Sequence, residues 1–167
     1  MNQLERPILR VGAGDEGYER ALAAGSMRAG KGSVLAAFEA NHNDGPWENP
    51  DEYRKINGLV RYSCGDMANG FAITGMGYRA NWNSTDQIPQ RAVADGLVGR
   101  FGALDPSDGG NTNRYSGSVE WQRSHGNGAT KVMAHGLGYD LSLFRTSRFS
   151  STIPNAATSS SRRTIDS

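Results

Sequence analysis

Apolar and polar residues alternate with a period of two along most of this chain. The pattern is clearest in four segments, residues 34–42, 55–62, 70–82 and 115–122. Strict alternation is the sequence signature of a β-strand with two unlike faces. Successive side chains of a strand point to opposite sides, so the alternation predicts an apolar stripe on one face of a sheet. This predicted stripe consists of Val34, Phe38, Val60, Tyr62, Val119 and Trp121.

The connections between these segments alternate between short and long. Three are short and rich in Gly and Asn, as tight turns require: "MRAGKGS", "SCGDMANG" and "SHGNGAT". Two are long: "NHNDGPWENPDEY" and the stretch from Asn83 to Asn113. A further strand is predicted over 130–143, although its inward and outward positions stay ambiguous. Several of the strands run to about ten residues or more, which is typical of membrane barrels rather than soluble sheets.

These features predict an all-β fold. Specifically, they predict a partial antiparallel transmembrane β-barrel, an open curved sheet of about 6–8 long strands, followed by a disordered C-terminal tail. Hydrophobic residues make up 37% of the 167, a share that a membrane barrel with a polar lumen tolerates. Aromatic residues near strand ends, such as Tyr62, Tyr78 and Trp82, suit an interfacial girdle.

Charge and composition argue against several function classes. The net charge of +1 provides no electrostatic footprint for nucleic acid. Cys64 is the only cysteine, so no disulfide framework or thiolate metal site is expected. His42, His125 and His135 show no metal-ligand spacing, and no catalytic triad is recognisable. We therefore predict no enzyme activity, no catalytic residues, no metal and no cofactor.

One glycine motif suggests a different fold, a dinucleotide-binding domain. Gly12, Gly14 and Gly17 have the spacing of a dinucleotide-binding loop, and Glu39 stands where such a fold places its ribose-binding acid. That fold needs a helix after the loop and several further βαβ units. The chain from Lys55 onward predicts hairpins instead, so we interpret the glycines as part of a connection between two strands.

Four segments carry a resemblance to a known family: "NDGPWENPDEYRKINGLVRYS", "GYRANWNSTDQIPQRAV", "RFGALDPSDGGNTNRYS" and "GYDLSLF". Together they resemble TonB-dependent outer-membrane receptors of Gram-negative bacteria, over about Ile8 to Phe144 and most specifically over Gly45 to Ser116. The resemblance implies a 22-stranded barrel filled by an N-terminal plug. It also implies import of a siderophore, vitamin or other scarce nutrient, with energy passed by TonB.

The resemblance and the alternation both stop at Phe144. Residues 145–167 are rich in Ser, Thr and Arg and predict a disordered tail. Family members continue here with a sequence resembling S-N-F-T-Y-F-L-D-D-P. Permitted codons for this tail, with one base restored after the Phe144 codon, encode S-N-F-T-L-F-L-D-D-P. We therefore expect 1–144 to be a partial receptor barrel and 145–167 to be out-of-frame translation, the alternative being a genuine disordered tail.

The resemblance also implies partners and a ligand region. If the short turns are periplasmic, the long loop from Asn83 to Asn113 is extracellular, with candidate ligand contacts at Trp82, Gln87, Arg91 and Arg100. The parent receptor would bind an extracellular nutrient or siderophore, outer-membrane lipid, and TonB through a plug and TonB box that we do not find in this chain. The N-terminus "MNQLERPILR" lacks a secretory apolar segment. We therefore expect the chain not to be exported, and to be inactive in transport as encoded.

Two alternatives remain open at the level of sequence. The first is a soluble β-sandwich that uses Tyr and Trp to bind a carbohydrate, which requires short strands packed in two layers. The second is a dinucleotide-binding enzyme that uses Gly12, Gly14 and Gly17, which requires a helix over 18–29.

Overall fold

The computed structural model describes residues 4–66, 68–83, 88–103, 107–146 and 160–166. This part of the chain is all-β apart from one short helix. Its elements are β1 (Ile8–Ala13), β2 (Glu19–Ala29), β3 (Gly32–Asn43), β4 (Tyr53–Gly65), β5 (Asn69–Asn83), α1 (Gln90–Ala94), β6 (Gly109–His125), β7 (Gly128–Thr146) and β8 (Ser160–Asp166).

All strands lie in one open antiparallel sheet, and each pairs with the next along the chain. The all-β class and the single open sheet of long strands are confirmed. Strands β2 to β7 have 11, 12, 13, 15, 17 and 19 residues, against about 5–6 in soluble proteins. Each of the four alternating segments lies within one of these strands.

The sheet is a single layer. Among the described residues, the buried hydrophobic side chains are only Ala72 and Ala80, because no second sheet or long helix packs on either face. A carbohydrate-binding sandwich requires two layers and short strands, and the described residues form neither.

The predicted connections are confirmed in their arrangement. The tight turns after β2, β4 and β6 lie where the strands end on one side of the sheet. This row of strand ends is called here the turn edge. The connections after β1, β3 and β5 lie at the opposite edge, called here the loop edge. The α1 helix belongs to the β5–β6 loop and was not predicted, since its five residues are too few to show a helical period.

The glycine motif lies in a hairpin. Strand β2 occupies 19–29, where a dinucleotide-binding fold requires a helix. Gly17 has a φ of +70°, and its missing side chain leaves room for the Asp44 carboxylate. The main-chain N–H of Gly14 donates to the carbonyl of Tyr18 at 2.8 Å. These glycines therefore shape a tight connection, as interpreted from the sequence.

The predicted disordered tail, 145–167, falls mostly on residues outside the described part of the chain, namely 147–159 and 167. Of the remainder, residues 145 and 146 complete β7. Residues 160–166 form β8, which pairs with residues 140–146 of β7.

Candidate functional site

The register divides the sheet into two unlike faces. Directly paired residues of an antiparallel sheet point to the same side. The cross-strand row of Met27, Val34, Tyr62, Ile73 and Val119 defines the apolar face. The residues that alternate with these along each strand define the polar face. All six residues of the predicted apolar stripe lie on the apolar face, so the predicted one-sidedness is confirmed.

The apolar face is open to its surroundings. Its exposed large side chains extend over strands β1 to β7: Leu9, Val11, Met27, Phe38, Ile56, Val60, Ile73, Tyr115, Val119, Trp121 and Val132. Leu9 and Val11 are 76% and 77% exposed, and even Trp121 is 41% exposed. A continuous apolar surface of this extent on a folded chain marks an interaction surface or a membrane contact.

The polar face carries hydrogen-bonded ion pairs that join neighbouring strands. Glu39 on β3 accepts from Arg20 Nε of β2 at 3.0 Å and from Lys55 Nζ of β4 at 3.1 Å. Arg61 Nη1 donates to Thr74 Oγ1 at 3.0 Å and reaches across β5 to Glu120 Oε1 at 3.2 Å. These contacts join the five consecutive strands β2 to β6 through side chains as well as through the backbone hydrogen bonds.

Among the described residues up to Phe144, cations outnumber carboxylates on the polar face of the sheet. The cations are Arg10, Arg20, Arg28, Lys55, Arg61, Arg114 and Lys131, and the carboxylates are Glu39 and Glu120. The chain as a whole has a net charge of only +1. The positive charge is therefore concentrated on one surface, an asymmetry that attracts anions.

At the loop edge, the β3–β4 loop docks against the β5–β6 loop. The rings of Trp47 and Phe101 lie 6.1 Å apart, and the Glu48 N–H donates to the Phe101 carbonyl at 2.9 Å. Trp47 Nε1 also donates to Asp51 Oδ2 at 2.9 Å. Burial raises the pKa of the Asp51 carboxyl, and this outweighs the opposing effect of the Trp47 hydrogen bond.

At the turn edge, the carboxylate of Asp66 is stabilised in its charged form, in contrast to that of Asp51 at the loop edge. The N–H groups of Asn69 and Ala68 each donate to Asp66 Oδ1 at 2.7 Å. These backbone donors, Asn69 first, hold the pKa of Asp66 below its ordinary value. Asp66 therefore closes the tight turn as an ionised acceptor.

Of the four predicted ligand contacts, the three that the structure describes do not form a cluster. Trp82 lies at the loop end of β5 on the polar face, and its ring covers Gly110 of β6. Arg91 is an exposed residue of α1, and Arg100 is exposed with its guanidinium carbon 6.0 Å from the Phe101 ring centroid. Gln87 lies outside the described residues. No contact among the described members of this set is present, so their assignment as ligand contacts stays a prediction.

Comparisons of the chain with protein families, with curated proteins and with solved structures give no match. In the described part of the chain, no helix has the length and hydropathy to cross a membrane. Within those same residues, no group of three His, Cys, Asp or Glu side chains is placed to hold a metal ion.

Sequence reasoning missed the Glu39 ion pairs and the docked loops. Glu39 was considered only as a ribose-binding acid, whereas its partners come from strands 19 and 16 residues away. A local signal did exist for one contact, since Trp47 and Asp51 lie four residues apart in a Pro-containing loop.

Proposed function

We propose that β1 to β7 are part of the wall of a TonB-dependent outer-membrane receptor that takes up a siderophore or another scarce nutrient. The observation that carries the proposal is the two-faced single-layer sheet. Its apolar face would contact outer-membrane lipid, and its polar face would line the lumen. The family itself is proposed from the sequence resemblance, which the fold class accommodates.

The dimensions of the apolar face support a membrane position. On β4 this face runs from Ile56 to Cys64, and eight residues of a strand rise about 27 Å. At a barrel tilt of about 40° the apolar band is about 21 Å tall, close to the roughly 25 Å of outer-membrane barrels. Arginines lie at both ends of the band: Arg79 directly opposite Ile56 and Arg54 beyond it towards the loop edge, and Arg123 beyond Trp121 towards the turn edge.

We further propose that transport belongs to a longer, closed barrel and that this chain alone does not transport. In the described residues the outer edges of β1 and β8 have no strand partner. In lipid, each unpaired backbone N–H or C=O costs several kcal/mol, so a wall with open edges does not function as a channel.

The membrane assignment is tested by measuring the depth of individual tryptophans. The chain contains Trp47 in a loop, Trp82 on the polar face and Trp121 on the apolar face. Three single-tryptophan variants, with Phe at the other two positions, are folded into vesicles whose acyl chains carry bromine. We expect strong quenching of Trp121 and weak quenching of Trp82 and Trp47. Equal quenching of Trp82 and Trp121 would contradict a lipid-facing apolar side.

The transport assignment is tested on the gene. Resequencing the region around codon 145 and its flanks shows whether a lost base separates two halves of a receptor reading frame. If it does, restoring the base and measuring TonB-dependent uptake in a receptor-deficient host tests import directly. If the frame of the tail is intact and no receptor sequence flanks it, the transport proposal fails.

A further inference from the structure

Three side chains form a direct cross-strand row at the centre of the cationic polar face. Tyr78 of β5 pairs with Arg114 of β6, and Arg114 pairs with Tyr139 of β7. Arg114 therefore lies between the two tyrosines in the register, and all three side chains project from the same side of the sheet. Neighbouring strands are about 4.8 Å apart, so the two tyrosine backbones are separated by about 10 Å.

The row borders a 420 Å³ depression in the polar face, which Asn57, Met76 and Thr112 also line. Thr112 is only 7% exposed and accordingly lies deep, whereas Tyr139 is 40% exposed at the rim. The Thr112 hydroxyl donates to the Asp140 carbonyl at 3.1 Å. The hydroxyl at the floor of the depression therefore has a hydrogen-bond partner, and the Tyr139 ring lies at the rim.

Arg114 differs from the other arginines in the middle of this face. Arg20 and Arg61 each donate to a glutamate, Glu39 and Glu120 respectively. Within the part of the chain that the structure describes, Arg114 has no ion pair or hydrogen bond, and its side chain is exposed. Both glutamates of the polar face are paired with other cations, so the Arg114 guanidinium is accessible to an external anion.

We infer that Tyr78, Arg114 and Tyr139 form a binding subsite for an anionic ligand that carries a planar conjugated group. The inference deepens the proposed function, on which it rests for the placement of the polar face in the lumen. The planar guanidinium binds a carboxylate or another flat oxyanion through two parallel N–H donors. The phenol rings provide flat apolar contact, and the Tyr139 hydroxyl provides an additional donor.

The surrounding charge favours the same ligand class. The excess of cations over carboxylates on the polar face raises the local concentration of anions and speeds their association. A neutral sugar would gain nothing from this field. The same field would disfavour a cationic ligand, because both carboxylates of this face, Glu39 and Glu120, already pair with cations of the sheet.

The test uses two trianions of different shape. The full chain is folded in zwitterionic detergent, its β-structure is verified by circular dichroism, and binding is measured by calorimetry. The planar probe is benzene-1,3,5-tricarboxylate, and the non-planar probe is propane-1,2,3-tricarboxylate. We expect the planar trianion to bind more tightly, and the Arg114→Gln substitution to weaken its binding about tenfold or more.

A matched control removes the same charge from the other side of the sheet. Arg79 on β5 lies one residue from Tyr78 and is exposed on the apolar face, so Arg79→Gln should leave binding of the planar trianion within about twofold. A Tyr139→Leu variant retains all charges. It should weaken binding of the planar probe and leave binding of the non-planar probe unchanged.

An equal loss of affinity for the planar trianion in Arg114→Gln and Arg79→Gln would show that only overall charge matters. That result would overturn the proposed subsite. Undetectable binding of the planar trianion to a chain with verified β-structure would also overturn it. Tryptophan quenching in lipid does not depend on Arg114, so that measurement decides the membrane proposal separately. If Trp121 is quenched and the trianions do not bind, the receptor proposal stands and the subsite fails.

Discussion

The two faces of the sheet share one backbone but differ in how their side chains are stabilised. On the apolar face, residues such as Val60 and Trp121 are exposed and have no packing layer above them. On the polar face, Glu39 and Arg61 are fixed by hydrogen bonds to neighbouring strands. A single-layer sheet cannot bury its apolar side by itself, so the environment has to supply that contact. The polar side, in contrast, is already organised by its own charges.

The largest expected effect on stability comes from an arginine introduced on one face or on the other. Val60 and Leu59 are adjacent on β4 and point to opposite sides. In lipid vesicles, Val60→Arg should lower the free energy of unfolding by about 2–4 kcal/mol, because it places a cation in the middle of the apolar band. Leu59→Arg, on the polar face, should cost less than about 1 kcal/mol. Urea titrations measure both variants. An equal loss of unfolding free energy in the two would contradict a difference between a lipid-facing side and a polar side.

The next effect comes from adding one methyl group to a glycine on each face. At Gly110 on the polar face, a Cβ would lie 2.7 Å from Trp82 Cζ2 and 2.9 Å from Leu143 Cδ2. Gly110→Ala should therefore destabilise the sheet by about 1–3 kcal/mol. At Gly75 on the apolar face nothing lies within 4 Å, so Gly75→Ala should stabilise it by about 0.5–1 kcal/mol. Thermal unfolding of both variants measures the sign of each change.

A smaller effect is expected from the ion pairs of the polar face. Glu39→Gln leaves Arg20 and Lys55 without their shared carboxylate. It should lower the free energy of unfolding by about 1–2 kcal/mol. Glu19→Gln on the apolar face is the control, since the Glu19 side chain is exposed and makes no ion pair within the described residues. High salt should reduce the cost of Glu39→Gln. A cost that is independent of salt would indicate lost packing instead.

The smallest effect lies at the loop edge, outside both faces, and depends on pH. Burial raises the pKa of Asp51 above the ordinary value of 3.8. The folded loop therefore favours the protonated carboxyl, so docking is most stable below 3.8 and weakens as pH rises through the raised pKa. Fluorescence of Trp47 as the single tryptophan should report this change as the pH is raised above 3.8. An Asp51→Asn variant that keeps the same pH dependence would assign the change to another group.

How far the sequence alone predicts this fold depends on the element. Strands β3 to β6 were predicted from their alternation, and so was the common face of Val34, Phe38 and Val119. Strand β7 was predicted without its inward and outward positions, because Val132 and Met133 are apolar on opposite faces. The glycine motif matched a nucleotide-binding pattern, yet it serves a hairpin turn. A local pattern of six residues, Gly12 to Gly17, does not distinguish these two uses of glycine.

The sequence by itself determined that this chain forms long strands with one apolar side, because side-chain alternation is a property of each strand separately. The tertiary structure alone decided which charges meet, which arginine stays unpaired and which loops dock. Glu39 meets Lys55, and Arg114 lies between Tyr78 and Tyr139, only because of the register between strands. Register depends on hydrogen bonds between segments far apart in the chain, and a shift of one residue would move every one of these side chains to the other face.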